Sequence, residues 1–182
     1  MFQQVPVLPV VVPLAAVTLG AMLWHLRRRG RLTVPRAAVA LALCVYAAGV
    51  VANTVFPIFL DKPAREGVWH SSLQLVPVVG YETGDAAMNV AVFVPLGALL
   101  ALVLARPTWP RVLAAVAGFS LTIELTQLVT AVLLGGGHVA DVNDLLFNVL
   151  GGLVGFALLL GVQRVPRLRA LVEHFRWRPA DA

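Results

Sequence analysis

The chain alternates long apolar stretches with short polar ones, and the apolar stretches are close to one length. Five stand out, roughly Val5–Trp24, Ala37–Leu60, Asp85–Ala105, Arg111–Leu134 and Asn143–Gln163. Each approaches the ~20 residues that a helix needs to cross the hydrocarbon of a bilayer, and none alternates as a barrel strand would. The pattern predicts five membrane-spanning helices. Pro6, Pro9 and Pro13 place the start of the first near Val7, because proline is tolerated in a first turn, and make Pro13 a point of bending. A cleaved signal peptide is the rival reading of this segment, but no positive charge precedes the run.

Composition agrees with the membrane reading. Apolar residues form 59% of the chain and charged residues 13%, against roughly 25% charged in a soluble domain. The charges that remain are distributed unevenly. Arg27, Arg28, Arg29, Arg31 and Arg36 follow the first run, Arg106 and Arg111 flank the gap before the fourth, and Arg164, Arg167, Arg169, Arg176 and Arg178 follow the fifth. The other two connections carry little positive charge. By the positive-inside rule the arginine-rich segments are cytoplasmic, which puts the N-terminus outside and the C-terminus inside. The formal charge of +5 then reflects topology and anionic headgroups, and no nucleic-acid partner is expected. Cys44, the single cysteine, excludes a disulfide framework and reads as a small hydrophobe.

The expected fold is an all-α membrane protein, a bundle of about five transmembrane helices. Three parts follow along the chain: residues 1–36, a first helix and a basic cytoplasmic loop; 37–163, a four-helix core; and 164–182, a basic amphipathic tail. Within the core, the outer loop 61–84 is too long for a plain connector and too apolar for disorder. It predicts a lid or re-entrant segment with Trp69 and Tyr81 at headgroup depth. Trp24, Trp109 and Trp177 read as further interface anchors. His25 reads as interfacial, His70 and His174 as solvated, and "HSS" (70–72) has no acid at a spacing that would make a serine hydrolase.

In such a chain the polar residues inside the apolar runs carry the information. Glu124 lies near the middle of the fourth run, where a charged carboxylate costs at least ~2.5 kcal/mol unless it faces protein or water. Ser120 and Gln127, at i−4 and i+3, share its face. The fifth run opens with Asp141, Asn143 and Asp144 and carries Asn148 one turn deeper. Asp141 or Asn143 can cap that helix, and Asp144 complements its dipole. Capping does not account for Asn148, or for Asn89 at similar depth in the third run. At ~1.5 Å per residue, Glu124 lies ~15 Å and Gln127 ~10 Å from the outer helix ends, with Asn89 and Asn148 ~6–8 Å deep. The four can meet in a polar pocket that narrows toward Glu124. Gly151 and Gly155 form a small-xxx-small face for close helix packing, and Pro95 predicts a bend beside Asn89.

"NTVFPI" (53–58), "LQLVP" (73–77), "NVAVFVPLG" (89–97), "SLTIELTQ" (120–127) and "HVADVNDLLFNVLGGLVG" (138–155) occur in the order found in the VanZ-like family. Over about residues 45–160 the chain resembles those small bacterial membrane proteins, named for a teicoplanin-resistance determinant. The resemblance implies a multi-pass protein of the bacterial cytoplasmic membrane and carries over Asn89, Glu124, Gln127, Asp141, Asp144 and Asn148 as site positions. His138 stands where the family usually has arginine, so a titratable side chain replaces a permanent cation in the expected ligand site.

Three functions fit these residues. The first is an envelope protein that lowers glycopeptide susceptibility by binding a lipid-linked cell-wall precursor or other lipid ligand in an outward pocket. The second is an intramembrane enzyme on a lipid or lipid-linked substrate, with Glu124, Asp141 and Asp144 as candidate catalytic groups and these three with His138 as oxygen and imidazole donors for a metal, although their spacing matches no established metal motif. The third is a small transporter or flippase. No cofactor and no oligomeric state is legible.

Overall fold

The computed structural model describes residues 2–60, 72–133 and 139–177. Trp69, His70 and His138 lie outside the described residues. Six helices carry the fold: α1 (Val7–Arg28), α2 (Val34–Thr54), α3 (Thr83–Val103), α4 (Trp109–Leu133), α5 (Val142–Val162) and α6 (Pro166–Phe175). The first five are long and apolar enough to span a bilayer. A two-residue parallel ladder joins β1 (Leu73–Gln74) to β2 (Ala140–Asp141).

Helix ends follow local chemistry. α1 begins at Val7, directly after Pro6, and contains Pro13. α2 stops at Thr54, short of the Leu60 expected from the apolar run. Pro57 is the cause, since it disfavours helical geometry at the residue before it. Beyond it the chain is extended and pairs with the segment ahead of α1, through Val5 N–H to Ile58 O and Leu60 N–H to Gln3 O, both 2.9 Å. Apolar content alone could not mark that boundary.

The tightest packing lies between α3 and α5, which run parallel. A Cβ added to Gly151 would sit 2.3 Å from the Val90 carbonyl oxygen, and one on Gly155 would sit 1.9 Å from that of Val94. From the other side, a Cβ on Gly97 would meet the Gly152 carbonyl oxygen at 1.8 Å. The two backbones therefore touch, as small residues permit in a membrane where apolar attraction between helices is weak. Antiparallel α4 packs on the same helix, with Val116 against Gly152 and Ser120 against Asn148. Val50, Phe93, Leu96, Val112, Val116, Ile123 and Phe156 form the apolar core beneath this polar end.

α1 lies against α2, with Val11 packed near Val55 and buried Cys44 3.5 Å from the Met22 sulfur. α6 has no buried residue, but the segment after it folds back. Trp177 is 9% exposed among Leu26 and Ala40, and its backbone N–H donates to Leu102 O at 2.9 Å. Its ring stacks on His25 and its Nε1 donates to Arg36 O. Trp177, expected from sequence as an interface anchor, is thus also packed into the arginine-rich end of the bundle. Trp24 stays exposed with the Arg28 guanidinium over its ring, and Trp109, also exposed, packs edge-on against Phe156.

Candidate functional site

Because the helices alternate in direction, the C-terminal ends of α2 and α4 and the N-terminal ends of α3 and α5 meet at one end of the bundle. The polar residues of the apolar runs collect there. Asp141 is the N-cap of α5: its Oδ1 accepts from the Asn143 backbone N–H at 2.8 Å and from Asn143 Nδ2 at 2.9 Å. Its own backbone N–H donates to Glu124 Oε2 at 2.9 Å. The buried Glu124 carboxylate is therefore fastened to the turn that opens α5, and the Asp141 carboxylate is occupied by capping.

Asn143, 1% exposed, is more than an alternative cap. Its Oδ1 accepts from Val78 N–H at 2.7 Å, which ties the segment before α3 onto α5. The β1–β2 ladder supports the same docking. Val78 takes a positive φ of 67° on the way, an uncommon backbone state for a β-branched residue.

Asp144 forms a closed polar triangle. Its Oδ1 accepts from Tyr81 Oη–H at 2.5 Å and from Asn89 Nδ2 at 2.7 Å, and Asn89 Nδ2 also donates to Tyr81 Oη at 2.6 Å. The Tyr81 ring stacks on Phe147 with centroids 5.4 Å apart. Burial, then the hydrogen bond and charge of Asp144, hold the phenol well above its ordinary range, so it remains a donor. Tyr81 was expected at headgroup depth. Aromatic character suggested that reading, but its position just ahead of α3, at the end that carries Asn89 and Asp144, was the signal for a site residue.

Beside the triangle lies a cavity of about 680 Å³ bounded by α2, α3, α4 and α5. Asn89, Glu124, Gln127, Asp144 and Asn148 all line it. Asp141 does not, and His138 falls outside the described residues. Sequence reading missed the contribution of α2, where Tyr46, Asn53 and Thr54 complete the lining. A phenol within the apolar run of α2 was the available clue.

Three polar atoms of residues lining this cavity have no partner among the described residues. Gln127 Nε2 donates to Thr54 O at 2.8 Å and Asn148 Nδ2 to Ser120 Oγ at 3.0 Å, while Gln127 Oε1, Asn148 Oδ1 and Tyr46 Oη are buried and unbonded. Each such group costs about 1–3 kcal/mol if left unsatisfied. No lysine or arginine is among the described lining residues, so the cavity is rich in acceptors. Among the described residues, no three His, Cys, Asp or Glu side chains gather as a metal site would require.

No curated protein and no solved structure gives a significant match to the chain. The family model described as VanZ/LLP1 matches residues 43–163, which run from α2 to the residue after α5. That span contains every cavity residue, while α1 and α6 lie outside it. The chain belongs to the VanZ/LLP1 family and, with five helices long and apolar enough to span a bilayer, is a multi-pass membrane protein.

Proposed function

We propose that this protein resides in the bacterial cytoplasmic membrane and lowers susceptibility to glycopeptides of the teicoplanin type by holding a cell-wall or lipid-linked ligand in the polar cavity. The observation that carries this reading is the pair of buried amide oxygens, Gln127 Oε1 and Asn148 Oδ1, without partners among the described residues and on side chains that line a cavity large enough for a ligand head. Fixed polar groups that point at nothing are costly in a folded protein and gain their partners when a ligand binds. The arginine-rich segments lie at the opposite end of the helices, which favours a cavity end facing outside.

The test is glycopeptide susceptibility of cells carrying the wild-type gene, no gene, or Gln127→Ala and Asn148→Ala variants at equal membrane abundance. Protection by the wild type that both variants lose is the expected result. Equal protection by variants and wild type would remove the cavity from the function, and no protection by any of them would remove the glycopeptide.

A further inference from the structure

The side of the cavity between α2 and α3 is not sealed by the described residues. Its exposed lining residues run down α2 as Val45, Gly49 and Asn53 and down α3 as Met88, Ala91 and Pro95. Spacings of four and of three to four residues keep each set on one helix face. Val45 and Met88 are each 63% exposed although both border the cavity. Val45 lies ~14 Å from the nearer end of α2 and Pro95 ~12 Å from that of α3, so the opening reaches the depth of the hydrocarbon. Gly49 stands in the middle of the α2 face, with nothing within 4 Å of where its Cβ would be.

The floor behind this opening selects for chemistry. Gln127, Asn148 and Tyr46 line it, with amide oxygens and a hydroxyl that are buried and have no partner among the described residues, and Glu124 and Asp144 add carboxylates. No cation among the described lining residues offsets them. A phosphate placed here would face acceptors and carboxylates, whereas an amine or hydroxyl would give the amide oxygens the donors they lack. An apolar tail could stay between α2 and α3 and never leave the membrane.

We propose that the cavity is loaded sideways from the bilayer, through the gap between α2 and α3, by an amphiphile whose head donates hydrogen bonds. This rests on the reading above that the cavity is the ligand site, and it adds the route and the head chemistry. Four dioleoyl lipids with different heads separate the terms. They are a galactosyl lipid (hydroxyl donors), a primary-amine lipid (ammonium donors), a trimethylammonium lipid (cationic, no donors) and phosphatidic acid. Binding of each to the purified full-length protein in detergent is measured by native mass spectrometry.

At least one donor lipid should bind on the order of tenfold more tightly than the trimethylammonium lipid and phosphatidic acid. Which donor lipid binds identifies the head as sugar-like or amine-like. Gly49→Phe, whose Cβ would have no atom within 4 Å and whose ring would stand in the opening, should reduce that binding by a similar factor. Met88→Trp on the opposite face provides a second obstruction should the first variant fold poorly. Equal binding of all four lipids, or preference for phosphatidic acid, overturns the head chemistry. Unchanged binding in folded Gly49→Phe and Met88→Trp overturns the route. Either failure leaves the susceptibility test of Gln127 and Asn148 standing on its own result.

Discussion

Glu124 and Asp141 are joined by one hydrogen bond of 2.9 Å between a side-chain carboxylate deep in α4 and the backbone N–H that precedes α5. A group that looks like a catalytic acid in the sequence therefore also has a structural partner, and the two roles respond differently to substitution. Glu124→Ala removes the acceptor and leaves a part-buried N–H unpaired, at a cost of about 1–3 kcal/mol. Glu124→Gln keeps a side-chain oxygen at that position. Thermal unfolding of purified protein should show a lowered midpoint for the alanine variant and a near-native midpoint for the glutamine variant. Loss of glycopeptide protection in Glu124→Gln alone would then report on the carboxylate itself.

The Tyr81–Asn89–Asp144 triangle should behave as a unit. Tyr81→Phe removes one of the two donors to Asp144 Oδ1, and Asn89→Ala removes the other. A double-mutant cycle should give a coupling of about 0.5–3 kcal/mol. Tyr46 supplies the contrast, since its buried hydroxyl has no partner among the described residues. Tyr46→Phe should leave the unfolding midpoint unchanged or raise it.

Gly155→Ala places a methyl group against the Val94 carbonyl, which belongs to backbone and cannot swing aside. α3 and α5 must separate, and overpacking of this kind costs about 1–3 kcal/mol. Gly118, on an open face of α4, is the control. Gly118→Ala should be neutral or stabilising by up to about 1 kcal/mol, through helix propensity alone. Comparable midpoints for the two variants would contradict the backbone contact.

Trp177→Ala should free the tail without unfolding the spans. The ring fills a site among Leu26 and Ala40 and donates to Arg36 O. Limited trypsin digestion should cut the variant several-fold faster than the wild type within residues 164–176, while the helical circular dichroism signal changes little.

The five spans were legible because apolar length is a one-dimensional property and bilayer thickness sets its scale. The shared face of Ser120, Glu124 and Gln127 was legible for a similar reason, since helical periodicity fixes it. What could not be read depends on the meeting of distant segments. Tyr81 and Asn143 each had a local explanation, as an interface aromatic and a helix cap, that hid a long-range hydrogen bond. A tryptophan beside arginines fits the headgroup region, and nothing in that pattern points to the slot formed by α1, α2 and α3 that receives Trp177. Gly151 and Gly155 announced close packing but not their partner. The gap between α2 and α3 left no trace in either helix's sequence, because an unfilled space belongs to neither.

The parallel contact of α3 with α5 has a consequence for how the molecule comes into being. Synthesis delivers α4 before α5, so Glu124 and Gln127 are committed to the membrane before Asp141 and Asn148 have been made. The tightest interface and the polar cavity both wait for α5. A ribosome-bound chain that ends before α5 therefore lacks both the Asp141 N–H that pairs with Glu124 and the glycines Gly151 and Gly155 that let a backbone close against α3.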